Sequence, residues 1–229
     1  QLVFKMTDNG EPLENMASLY AFDSLLNYFG AEGKILRFKV STVLVDSGKT
    51  RETFRHMLEW QRENSHRLSI HLQISVVPGA KGLIAADEAR EMAAQWAEAN
   101  PHEKVRFAPG LARGFDQSKL LDYCQTVKSL GDRCFFQVSV IKPSCAEQRR
   151  QVINRCELAK VNAAIRKLGF EVNPLPQNNT YDRQLEAAGT LSHLPGDGNL
   201  YNPSDYTIWK YQAGKQDPNT PYHRARAVS

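Results

Sequence analysis

Residues 67–77, RLSIHLQISVV, alternate between apolar and polar side chains almost without a break. Leu68, Ile70, Leu72, Ile74 and Val76 share one parity, and Arg67, Ser69, His71, Gln73 and Ser75 the other. Successive side chains of a strand leave opposite faces, so the run predicts a strand with one buried and one wetter face. Residues 35–45, ILRFKVSTVLV, give a second such strand, with Leu36, Phe38, Val40 and Leu44 on one side. CFFQVSVI at 134–141 predicts a third, and KVRF at 104–107 and FEV at 170–172 predict short ones.

Between these runs the period changes to that of a helix. Residues 12–29 read as helical, with Pro12 tolerated in the first turn. Phe54, Met57 and Leu58 form the apolar stripe of a helix over 50–63. Ala85, Ala89, Met92, Ala93 and Trp96 do the same over 84–99. Asp116 is placed to cap a helix to about residue 130, with Leu120, Cys124 and Val127 inward. Ser144 and Glu147 form a capping box opening a helix to Leu168, which Gly169 would stop in a left-handed conformation. A last helix is expected over 180–193, and APGLARGF at 108–115 is the most loop-like stretch of the middle.

Strand and helix thus alternate throughout, which predicts an α/β (α+β) domain. The alternating strands suggest a mixed sheet with helices packed mainly on one face, in ferredoxin-like split-βαβ units. The expected division is a domain over 1–195 and an extended tail over 196–229, the tail being rich in Gly, Pro, Asn and Asp.

Composition narrows the function classes. The 229 residues are 41% hydrophobic and 24% charged, an ordinary globular balance. No apolar run reaches the roughly 18–20 residues of a membrane helix. The start, QLVFKMTDNGEPLENM, lacks the basic and apolar regions of a signal peptide. Beginning with Gln1, it reads as a piece of a longer chain or one whose start was removed. The net charge of +4 is uneven: 11 Lys and Arg against 13 Asp and Glu in 1–100, but 18 against 12 in 101–229. A mildly basic second half permits contact with nucleic acid or anionic lipid without requiring it. Cys124, Cys134, Cys145 and Cys156 lie 10 or 11 residues apart, which argues against a zinc site and for a reducing, cytoplasmic setting. Cys124 and Cys156 are expected on apolar helical faces as small hydrophobes.

The chain carries no complete catalytic motif. DSGKT at 46–50 follows a strand and precedes a helix, but the first glycine of a phosphate-binding loop would fall at Val43. A turn capped by Ser47 or Thr50 fits better. His66 and His71 lie five residues apart on or near one strand and face opposite sides, so they do not share a metal. His71 lies on the wetter sheet face, where it could serve a site. No G-x-S-x-G frame is present, and Asp87, Glu88 and Glu91 suit the start of a helix. The expectation is therefore no catalytic residue, no cofactor and no metal in this chain. Contacts with nucleic acid or a partner would fall to Arg149, Arg150, Arg155, Lys160 and Arg166 on the long helix. Trp209, Tyr211, Arg224 and Arg226 would join them from the tail, where aromatic rings could stack on bases or anchor a partner.

Taken in order, NYFGAEGKILRFKVSTVLVDSGKTRETFRHMLEWQRENSHRLSIHLQISV, then DRCFFQVSVIKPS, then AAIRKLGFEVNPLPQNNTYDRQLEAAGTLSHLPG, is similar to the N-terminal domain of TraC-type conjugative ATPases, the assembly ATPases of type IV secretion systems. The similarity spans about 27–205 and rests on element order. It implies a non-catalytic docking domain that forms homo-oligomers and meets secretion proteins at the cytoplasmic side of the inner membrane. The motor, with its nucleotide motifs, would lie downstream. The alternative is a ferredoxin-like nucleic-acid-binding module, such as an RNA-binding subunit of a CRISPR effector. A stand-alone enzyme using His71 or a cysteine is the third class.

Overall fold

The computed structural model describes residues 2–6, 11–30, 36–140, 153 and 155–173. The chain divides into two compact units. The first holds the described residues of 1–110, 116–138 and 160–173. The described part of the second comprises 111–115, 139–140, 153 and 155–159.

The first unit is built on a parallel sheet. Its strands are β1 (Leu2–Met6), β2 (Leu36–Thr42), β3 (Leu68–Val76), β4 (Val105–Leu111) and β5 (Cys134–Phe136), in the spatial order of the chain. All four pairings between these neighbours are parallel. A short β6, Ser139–Val140, belongs to the second unit. A parallel bridge from Phe136 to Val172 carries the series one position past β5. Phe136 N–H donates to Glu171 O, and Asn173 N–H returns to Phe136 O, both at 2.9 Å. Each strand is followed by a helix: α1 (Ala17–Gly30), α2 (Gly48–Asn64), α3 (Ala86–Ala99), α4 (Gln117–Thr126) and α5 (Arg155–Lys167). A 3-10 turn at Pro12–Glu14 precedes α1, and a 3-10 stretch at 127–133 follows α4.

The helices share one face. Register aligns Phe38 with Ile70, Ile74 with Phe107, and Phe107 with Phe136 across the sheet. On that side Phe22 of α1 lies 4.4 Å from Phe38, and Tyr123 of α4 makes an edge contact with Phe107. Phe54 of α2 and Trp96 of α3 pack together at 5.8 Å, and Trp96 is 1% exposed. Parallel strands in sequential order with every crossover on one face form a singly wound arc, the unit that closes into a (β/α)8 barrel when repeated far enough.

The α/β class and the main strands and helices agree with the sequence reading. The ferredoxin-like split-βαβ arrangement and its mixed sheet do not describe β1–β5. That fold needs antiparallel neighbours, and each crossover here returns the chain to the same sheet end. Strand β1 carries no distinguishing pattern and was not expected. Ala108–Leu111, expected in a loop, continue β4. The β4–β5 register ends at Phe107 and Phe136, two residues before Pro109, so the missing proline N–H interrupts no pair between those strands. The capping box at Ser144, the 180–193 helix and the 196–229 tail lie outside the described residues. Gly169 stops α5 with φ 96°, as its position predicts. Cys124 is buried as expected, but Cys156 is exposed: it lies on the outer side of α5, whose buried stripe is Val161 and Ile165.

Candidate functional site

The face away from the helices is polar. Register sets Arg37 beside Ser69, Lys39 beside His71, and Ser41 beside Gln73; Gln73 is in turn beside Arg106, and Arg106 beside Phe135. The 2-residue side-chain period holds them all on the face opposite Phe38 and Ile70.

Glu103, in the turn before β4, reaches over this face. Arg37 Nη2 donates to both its oxygens at 2.6 and 2.8 Å, and Ser69 Oγ donates at 3.0 Å. His71 Nδ1 stands 3.5 Å from the same carboxylate. Burial pushes Glu103 up, but the hydrogen bonds from Arg37 and Ser69 and the nearby positive charge outweigh it and hold the carboxyl below its ordinary range. Burial pushes the His71 imidazole down. Glu103 pulls the other way, while Lys39, Arg106 and Arg37 reinforce the downward shift. His71 is therefore a neutral imidazole near pH 7, with its ring 6.3 Å from Phe135.

Three adjacent side chains of this face carry sealed polar atoms without hydrogen bonds: His71 Nδ1, Gln73 Oε1 and Arg106 Nε. Other such atoms lie on α2, α3 and α5, at Trp60, Gln61, Trp96 and Asn162. Among the described residues no carboxylate pairs with Arg106, and burial alone pulls its guanidinium below the ordinary value. A buried polar atom left unpaired costs about 1–3 kcal/mol, so a group of three marks a place where something else supplies partners.

The DSGKT turn does different work. Ser47 is the N-cap of α2 and accepts from Thr50 N–H at 3.1 Å. The hydroxyls of Ser47 and Thr50 both donate to Glu14. A carboxylate thus occupies the hydroxyls of the turn, and the structural reading of this motif holds.

The residues expected to make contacts are not gathered here. Arg149, Arg150, Trp209, Tyr211, Arg224 and Arg226 lie outside the described residues. Arg155 opens α5; Lys160 and Arg166 are exposed on it, about 120° apart around its axis. Arg166 Nη2 donates to Val172 O at 3.3 Å, so it helps hold the chain after its own helix. The wetter face and His71 were legible from alternation, but Arg37, Glu103 and Arg106 were not singled out. Position parity in residues 35–45 was the available signal for Arg37; nothing local marked Glu103. Among the described residues no three His, Cys, Asp or Glu side chains group as metal ligands, and no helix is long and apolar enough to cross a membrane.

No family model matches the chain, and neither a curated protein nor a solved structure matches it.

Proposed function

We propose that this chain is a binding domain whose polar sheet face takes a small anion carrying carboxylate or phosphate oxygens. The observation behind this reading is the orphaned trio of His71 Nδ1, Gln73 Oε1 and Arg106 Nε on neighbouring positions. An anion supplies acceptors to Arg106, and a hydroxyl or amide on the same molecule supplies a donor to Gln73 Oε1.

The test is an NMR titration of the 229-residue chain with inorganic phosphate and with citrate at constant ionic strength. Saturable shifts of the Arg106 Nε–H and His71 ring signals, abolished in Arg106→Met, are expected. Shifts that never saturate, or that survive in Arg106→Met, sink the reading. A labelled single-stranded oligonucleotide bound with steep salt dependence would instead favour the nucleic-acid module.

A docking domain of a conjugative secretion ATPase is the second reading, and one observation favours it. Tyr20 and Tyr28 of α1 are 71% and 69% exposed, about two turns apart along the helix and about 80° apart around its axis. Exposed tyrosines are suited to protein contacts. Sedimentation of the chain against Tyr20→Ser/Tyr28→Ser tests it: self-association lost in the double variant supports docking, and a monomer in both removes its support.

A further inference from the structure

A second feature lies at the carboxyl ends of β2 and β3, the end where parallel α/β sheets place their ligands. A cavity of about 230 Å³ opens there. Leu44, Ile74, Val76 and Ile84 are among its walls. Among the described residues no aspartate or glutamate lines it, and Lys119 is the one charged side chain that does. Lys119 and Tyr123 are one turn apart on α4 and both face this space.

Lys119 Nζ makes no hydrogen bond among the described residues, and it forms a loose ion pair with Asp116 at 3.7 Å, 59% of its side chain being exposed. Among the described residues the Tyr123 hydroxyl makes no hydrogen bond, while its ring is held against Phe107. Burial pushes that phenol up, so it remains a donor. Gly79, at φ +80°, lies where Lys119 crosses the wall; a Cβ there would come within 3.3 Å of Lys119 Cδ and Nζ. Helix α3 begins at this wall with Ala85 and Ala86, and Asp87 and Glu88 of its first turn offset the positive end of its dipole, so the positive charge at the cavity is that of Lys119.

We propose that this cavity is a binding site for a small monocarboxylic acid with a short apolar body, the carboxylate lying against Lys119 and Tyr123 and the hydrocarbon against Leu44, Ile74, Val76 and Ile84. A single lysine, itself 3.7 Å from Asp116, can offset at most one ligand charge, and a dianion such as phosphate would carry a second into the space unpaired. The volume falls below the roughly 300–1,000 Å³ of drug-sized sites, which restricts the ligand to a few carbons. The site shares no residue with the Arg106 trio and stands or falls independently of it.

The experiment is an NMR titration of the full chain with isovalerate, and in parallel with its neutral amide, isovaleramide, following the backbone signals of residues 79–86 and 119–123. Isovalerate is expected to give saturable shifts there. Affinity should fall at least about tenfold for isovaleramide and in Lys119→Met, and measurably in Tyr123→Phe, which keeps the ring packing. Lys119 is exposed, so its variant folds, and unchanged spectra elsewhere verify this. Equal binding of acid and amide, unchanged affinity in Lys119→Met, or no saturable shift with isovalerate overturns the assignment.

Discussion

Thr50 Oγ1 donates a 2.6 Å hydrogen bond to Glu14, joining the 3-10 turn of the N-terminal segment to the first turn of α2. The Ser47 hydroxyl, then that of Thr50, holds the Glu14 carboxyl below its ordinary range, against the opposing effect of burial. A depressed carboxylate contributes stability that is present above its unfolded value and is lost as pH falls through the folded one. Resistance of the native chain to urea should therefore weaken as pH drops below about 4.5, and Glu14→Gln should flatten that part of the curve while lowering stability at pH 7. An unchanged acid limb in Glu14→Gln would show that this contact carries no linkage.

His71 has the opposite charge type but the same slope. Its folded pKa lies below the unfolded value, so the unfolded state binds a proton first and stability falls as pH drops through about 6.5. His71→Gln should remove the part of the decline between about pH 7 and 5.5. A variant curve parallel to wild type across that window would contradict a buried neutral imidazole.

Arg106 exposes a conflict between stability and function. A half-buried guanidinium that no described carboxylate pairs with gains little for the empty fold. Arg106→Met should be as stable as the parent or more so, by no more than about 1 kcal/mol, while losing anion binding. A loss of stability beyond that in denaturant titration would mean Arg106 supports the sheet itself.

Phe38 is fully buried, with Phe4, Phe22 and Trp60 around it. Removing its ring leaves a cavity under α1 and α2. Phe38→Ala should cost about 3–5 kcal/mol in urea unfolding. A cost below about 1 kcal/mol would mean the core collapses around the gap.

Leu44 holds φ 56°, a left-handed conformation, while its side chain is 2% exposed. Its N–H donates to Thr42 Oγ1 at 2.9 Å, and its carbonyl accepts from Ile84 N–H at 2.8 Å. Glycine would relieve about 1–2 kcal/mol of strain. It would also forfeit about 2–5 kcal/mol of buried leucine. The loss of burial is the larger effect, so Leu44→Gly should be destabilised by up to about 4 kcal/mol. A more stable variant would reverse that balance.

The elements were legible wherever one face is apolar and the other polar. Strand β3 follows the alternation of 67–77 to within one residue at each end, because half-burial is written locally in parity, whereas β2 stops at Thr42, three residues short of the expected 45, and Leu44 lies beyond it with φ 56°. The cap at Asp116 and the stop at Gly169 were legible for the same reason: the side chain of Asp116 accepts from Ser118 and Lys119 N–H, and Gly169 takes the left-handed conformation just past the helix. Alternation is identical in parallel and antiparallel strands, however, so it could not exclude the split-βαβ arrangement. Cys156 misled because a stripe counted along an isolated sequence can be offset from the buried one by a few residues.

By itself the sequence determined the periods, the turns and the two-faced character of the central strands, since these depend on neighbours within a few residues. Only the tertiary structure decided which polar groups meet. Arg37 and Glu103 stand 66 positions apart and touch because β2, β3 and β4 line up side by side. The cavity beside Lys119 likewise exists only once α4 lies over the ends of β3. Contacts over such separations depend on strand order and register, which no local pattern encodes.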